Sequence, residues 1–230
     1  MIDSPPLVAM IHAVPTAHRI AQDAFAQEFA QATVWNVLDD HLLDDANAAG
    51  GLTGALRRRM LRLIAHVVDG GAQGLLLTCS SYGEVVDTAR ALWDVPVLKS
   101  DESMFKSALS GPYRRIAVVA STPPAVPAAV AQLEALAPAV RPDRPVDIVT
   151  ALCEAAADAG PEEAARLLAD ALRAAGGTDT DAVLLAQYSL TPVRDALAAL
   201  LGVPVLDGAG AAARELRALL TPAGAPVVTP

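Results

Sequence analysis

The stretch "LLTCSSYGEV" (76–85) sets a cysteine between an apolar run and a helix-like segment. A thiol at or just before a helix N-terminus sits in the partial positive charge of unsatisfied N–H groups. That lowers its pKa and raises its thiolate fraction. The same N–H groups can hold a carboxylate. Ser80 or Ser81 is placed to cap the helix expected to begin near Tyr82. One short loop thus offers a base or nucleophile, Cys79, beside an anion cradle. The competing reading is a small buried cysteine, among the most buried of residue types. Position alone does not separate the two.

The elements that must hold this loop are legible as short apolar runs: "LVAMI" (7–11), "GLLLT" (74–78), "VPVLK" (95–99), "RIAVVA" (115–120), "AVLLA" (182–186) and "VPVLD" (203–207). Helix-like segments separate them, for example 55–68, 83–93, 162–175 and 191–201. Unalternated apolar strands divided by helices predict parallel strands buried on both faces, an α/β fold. The composition agrees. The chain is 53% hydrophobic but only 3% aromatic, so Ala, Leu and Val must build the core.

A shift of 108 positions lays residues 75–100 on 183–208 without a gap, with eleven of the twenty-six positions identical. The same shift lays "VAMIHAVP" (8–15) on "IAVVASTP" (116–123). A constant offset at both ends predicts a duplication. Two pseudo-symmetric Rossmann-like lobes with parallel sheets are expected, one formed by 1–102 plus about 208–222 and one by 103–207. Residues 223–230 read as a loose tail.

Ligands of open parallel sheets bind beyond the carboxyl ends of the strands. Two such ends facing each other would form a cleft, and that is where the active site is expected. The residues there are His12, Thr78-Cys79-Ser80-Ser81, Lys99-Ser100-Asp101, Ser121-Thr122 and Gln187-Tyr188-Ser189. Of these, Ser80, Ser81, Ser121, Thr122 and Ser189 supply hydroxyls and N–H groups suited to a carboxylate, though each alone is an ordinary turn or cap residue. Gln187, Tyr188 and His12 join them as substrate-binding candidates.

"LLLTCSSYGEVVD" resembles the first cysteine motif of the aspartate/glutamate racemase superfamily. "LDDHLL" (38–43), "VPVLKSDESM" (95–104), "RIAVVASTPP" (115–124) and "DAVLLAQYSL…GVPVLDG" (181–208) are similar, in order, to its further segments, so the resemblance spans roughly 7–216. It implies a small carboxylic acid as substrate, no cofactor, and one active-site cysteine from each lobe. The sequence departs from this pattern where the repeat maps Cys79 onto Gln187, because a glutamine exchanges no proton at neutral pH. Two-base racemisation needs an acid and a base on opposite faces of the carbon being inverted.

One thiol can protonate a carbanion or enediolate left by decarboxylation or C–C cleavage. It can also add to a double bond and allow rotation. The expected activity is therefore a cofactor-independent isomerase or a decarboxylase/lyase acting through Cys79. The alternatives are a racemase or epimerase with a non-cysteine second base such as Tyr188, a cysteine hydrolase in which His12 lies within reach of Cys79, and a two-lobed binder without chemistry.

Other signals are weaker. Cys153 lies in a helix-like stretch and reads as structural. "LDDHLLDD" (38–45) invites a metal reading, but its acids also make an ordinary solvated loop and no His or Cys cluster completes a site, so no metal is expected. "DGAGAAARE" (207–215) imitates a dinucleotide loop without the acidic residue that should follow. Lys99 could form a Schiff base only if buried. Asp101 and Glu102 are candidates to contact an amino or hydroxyl group of the substrate. A net charge of −9 with no basic cluster argues against nucleic acid and anionic membrane as partners. No apolar run approaches a membrane span. "MIDSPP" does not read as a signal peptide, and two cysteines make no disulfide framework. A cytoplasmic location is expected, and a homo-oligomer is compatible with the sequence.

Overall fold

A computed structural model describes residues 4–221. The chain forms two compact units. One takes the chain up to Ser100 and again from Ala212; the other is Asp101–Ala211. The tail expected at 223–230 lies outside the described residues.

The first unit holds β1 (Leu7–His12), α1 (Pro15–Glu28), β2 (Thr33–Leu38), α2 (Leu42–Ala48), α3 (Gly54–Asp69), β3 (Gly74–Leu77), α4 (Gly83–Leu92) and β4 (Val97–Leu98). The second holds α5 (Glu102–Ser110), β5 (Arg115–Ala120), α6 (Ala125–Val140), β6 (Asp147–Leu152), α7 (Pro161–Ala174), β7 (Ala182–Leu185), α8 (Arg194–Leu201) and β8 (Val205–Asp207). The boundary at Ala211 falls inside α9 (Gly208–Leu220). Both sheets are wholly parallel, in the orders β2-β1-β3-β4 and β6-β5-β7-β8.

The duplication is visible in the register. Val8 pairs with Gly74 and Leu75 with Val97; Ile116 pairs with Ala182 and Val183 with Val205. Each second-unit residue lies 108 positions beyond its counterpart. Thr78 N–H donates to the Ile11 carbonyl at 3.1 Å, and Ala186 N–H to that of Val119 at 3.0 Å.

Side chains follow the same rule. Ala9, Ile11, Leu75 and Leu77 point into one core, beneath Met60, Ile64 and Val67 of α3 and Val85, Val86 and Ala89 of α4. Ala117, Val119, Val183 and Leu185 meet Ala165, Leu168 and Leu172 of α7 and Leu197 of α8. The alternate residues of the second sheet, Ile116, Val118 and Leu184, pack on Met104 and Phe105 of α5 and Leu133 of α6. Burial on both faces is what makes the central strands read as unbroken apolar runs. Each enclosed Leu, Ile or Val contributes about 1.5–3 kcal/mol.

The helix starts follow local chemistry. Thr53 caps α3 by accepting the Leu56 N–H at 3.3 Å, and Pro15 and Pro161 occupy first turns where no N–H is needed. Gly202 (φ 69°) ends α8 in the left-handed conformation and turns the chain toward β8.

Candidate active site

In each sheet the strand order reverses at one point, between β1 and β3 and between β5 and β7. Open α/β sheets bind ligands beyond the carboxyl ends of the strands flanking such a point. Those ends carry His12, Thr78 and Cys79 in the first unit, and Ser121, Thr122 and Gln187 in the second.

Cys79 is half-buried. It packs against the first core and is not disulfide-bonded. Its backbone is extended (φ −110°, ψ 112°) and heads a 3-10 turn, Ser80–Tyr82, closed by Tyr82 N–H donating to the Cys79 carbonyl at 3.2 Å. The serine cap expected for the following helix does not form: Ser80 and Ser81 are absorbed into the turn, both exposed, and α4 starts at Gly83 without a side-chain cap. Cys79 therefore stands one tight turn ahead of α4. That turn is anchored by Tyr82, which is fully enclosed and donates its hydroxyl to the Leu42 carbonyl at 2.8 Å. Burial, then the negative charge of a Cys79 thiolate, pushes the Tyr82 phenol up.

His12 is fully buried. Its Nδ1 meets Thr78 Oγ1 at 3.0 Å and its Nε2 meets Asn36 Oδ1 at 2.9 Å. Burial lowers its pKa; the Asn36 hydrogen bond opposes this and the neighbouring His18 adds to it. Asn36 Oδ1 can only accept, so in the neutral ring Nε2–H donates to it and Nδ1 takes the single proton of the Thr78 hydroxyl, which otherwise goes to the Ile11 carbonyl 3.3 Å away. Both ring nitrogens are thereby committed to tying β1 to β2 and β3. His12 positions the strand end that carries Cys79, and the cysteine–histidine arrangement a hydrolase needs is not built with it.

In the second unit the equivalent loops close on themselves. Gln187, extended (φ −150°, ψ 138°), heads a 3-10 turn, Tyr188–Val193, and its carbonyl accepts Leu190 N–H at 3.1 Å. Its side-chain Oε1 accepts from Ser121 N–H at 2.6 Å, Ser121 Oγ at 3.2 Å and Thr122 N–H at 3.2 Å. The donors expected to cradle a substrate carboxylate are already filled by the protein's own carboxamide. Gln187, Ser121, Thr122 and the exposed Ser189 line a cavity of about 270 Å³ walled by apolar residues such as Pro161 and Leu190. Tyr188 is half-buried. Burial, then the charges of Asp101 and Asp207, pushes its phenol well above the ordinary value of 10.

A family model described as Asp/Glu/Hydantoin racemase matches residues 9–216. The chain belongs to the Asp/Glu/hydantoin racemase family. Among solved structures it is similar to allantoin racemase from Klebsiella pneumoniae, with 17% identity over 94% of this chain and 87% of that one and a TM-score of 0.66. It is also similar to glutamate racemase from Thermus thermophilus (17%, 95% and 81%, 0.58) and to unliganded arylmalonate decarboxylase (17%, 96% and 94%, 0.62). At such identities the likeness is one of fold. No curated protein matches the sequence.

Within this racemase-family frame Cys153 is placed otherwise than its sequence context indicates. Cys153 is not helical. It follows β6 at the carboxyl edge of the second sheet, donating its N–H to the Ala120 carbonyl at 2.9 Å. The acids of 38–45 serve structure, since Arg59 bridges Asp39 and Asp45 at 2.6 Å each. Among the described residues no cluster of His, Cys, Asp or Glu could hold a metal ion, and no helix is long and apolar enough to cross a membrane. Lys99 pairs with Asp87 at 2.9 Å, and Glu102 with Lys106 at 2.7 Å. The glycine-rich 207–215 begins α9, whose Gly210 N–H is taken by Asp207 Oδ1 at 2.8 Å rather than offered to a phosphate.

Nothing in the local sequence marks Asn36 and Thr78 as partners of His12. A polar residue inside the apolar run "VWNVL" was the available signal, but only the parallel pairing of β1 with β2 shows what it meets.

Proposed function

We propose that this chain is a cofactor-independent enzyme that works on a small carboxylic acid through one thiol, Cys79, as a decarboxylase/lyase or an isomerase. The observation that carries the reading is the pairing of Cys79 with Gln187. The two residues hold equivalent places in two equivalent units, and only one of them can transfer a proton. Membership of a racemase family, and a fold shared with racemases of glutamate and allantoin and with arylmalonate decarboxylase, supports chemistry at a carbon activated by a neighbouring carbonyl group.

In the decarboxylating form the C–C bond to the departing CO₂ breaks and its electron pair enters an enediolate. Cys79 Sγ–H then gives its proton to the carbon, and the thiolate recovers a proton from solvent. The enediolate oxygens need fixed donors. In the first unit these are Ser80 and Ser81, whose hydroxyls and N–H groups stand beside Cys79 in an exposed turn. In the second unit Gln187, Tyr188 and Ser189 are the proposed binding residues, with Ser121 and Thr122 holding the Gln187 carboxamide; in the first unit His12 acts through Thr78.

The test is a panel of small mono- and dicarboxylates incubated in D₂O and followed by NMR. Deuterium entering at a carbon beside a carboxylate, or CO₂ loss with deuterium retained at that carbon, is expected, and Cys79→Ser should abolish it. Turnover that survives Cys79→Ser would sink the thiol mechanism.

A further inference from the structure

We propose that Gln187 is a locked amide donor. Its Oε1 is buttoned into the Ser121–Thr122 loop, and its Nε2 presents N–H groups to a carboxylate or enolate oxygen of the ligand. This rests on the reading of the β7 strand end as part of a carboxylate-binding site. It assigns to the position of the missing cysteine a chemistry of its own: oxygen recognition in place of proton transfer.

Three hydrogen bonds settle which way the carboxamide faces. Ser121 N–H and Thr122 N–H are backbone groups that can only donate, so the atom they converge on is the oxygen. Ser121 Oγ adds a third donor to the same atom. The C–O and C–N bonds of an amide diverge by about 120°, so fixing Oε1 against β5 turns Nε2 away from it. Gln187 is half-buried and lines the 270 Å³ cavity together with Ser189. Among the described residues Nε2 has no hydrogen-bond partner of its own.

Two consequences follow from the chemistry. First, the Ser121–Thr122 donors do not bind ligand directly, because their acceptor is already in place. They hold the amide still, so its N–H groups lose little freedom on binding. Second, an amide N–H pair selects an acceptor. It suits a carboxylate or enolate oxygen and rejects an ammonium group, which has only donors to offer. A ligand addressed through Gln187 therefore places an oxygen at this point, whereas an amino acid's ammonium group would be refused there.

The test is a titration of the ¹⁵N-labelled full chain with sodium malonate and, separately, with sodium acetate. The Gln187 side-chain NH₂ and the backbone amides of Ser80, Ser81, Ser121 and Thr122 are followed. Saturable shifts of the Gln187 NH₂ are expected, with the Ser121 and Thr122 amides still hydrogen-bonded. Gln187→Glu keeps one oxygen for the loop but replaces the donors with a second anionic acceptor. It should weaken malonate at least about tenfold.

Shifts at Ser80 and Ser81 with the Gln187 NH₂ unmoved would overturn the inference and leave the proposed function standing. So would a ligand that displaces Gln187 and takes the Ser121 and Thr122 amides for itself, or an unchanged affinity in Gln187→Glu. No response to either acid anywhere would overturn both the inference and the carboxylate-binding reading.

Discussion

Cys79 and Gln187 occupy one and the same structural position, 108 residues apart. Each is the second residue after a buried parallel strand, each has an extended backbone, and each accepts at its carbonyl the N–H of the third residue onward, Tyr82 at 3.2 Å or Leu190 at 3.1 Å. The side chains then diverge. The thiol is held half-buried at the head of an exposed serine turn. The carboxamide is drawn back onto β5 by three donors.

Cys79→Ser should cost activity by about 10²–10⁴-fold, the usual worth of a positioned proton donor. The side chain is half-buried and near-isosteric with serine, so the thermal midpoint should barely move. Single-turnover assays beside a melting curve make the comparison. A comparable loss of both would assign Cys79 to packing instead.

Gln187→Cys restores a thiol where the family resemblance implies one. With a substrate that wild-type protein deuterates, the variant should begin to yield both enantiomers, read on a chiral column. It also strips three donors of their acceptor, two of them on buried Ser121, so stability should fall by about 1–3 kcal/mol. Gln187→Ala should show the same stability loss without any gain of inversion.

His12 makes stability pH-dependent. Its pKa is held below the ordinary 6.5, chiefly by burial, so between the two values the unfolded chain binds more protons than the folded one. The stabilisation is whole above pH 6.5 and drains away as pH falls through the folded pKa. Urea midpoints measured from about pH 8 down to about pH 5 should decline for wild type. The decline should be shallower in His12→Gln, whatever that variant's absolute stability.

Tyr188 should not behave as a base. Burial, reinforced by Asp101 and Asp207, keeps its phenol protonated well beyond pH 10. Tyr188→Phe should therefore leave the alkaline limb of the pH–rate profile where it was. Disappearance of that limb in the variant would revive a second-base role and with it the racemase alternative.

The sequence by itself determined the architecture. Strands buried on both faces must be apolar throughout, so Val8–Ile11, Gly74–Leu77, Ile116–Ala120 and Ala182–Leu185 announced a parallel α/β fold without any partner being known. The duplication was equally legible, because an offset survives in the residues that set register. The same offset exposed Gln187 at the place of the second cysteine. What the chain could not declare was where side chains reach across strands. Asn36, His12 and Thr78 are far apart in sequence and meet only because β2, β1 and β3 run in register. Gln187 reads as a vacancy in a list of catalytic residues until β7 is laid beside β5 and its oxygen falls on the Ser121 and Thr122 N–H groups. The start of α4 is not legible in the sequence for a related reason: serine is favoured equally at a helix cap and in a tight turn, and the placement of Tyr82 beneath Leu42 decides between them. Local pattern encodes which residues are buried; the direction of a hydrogen bond between strands belongs to the tertiary structure.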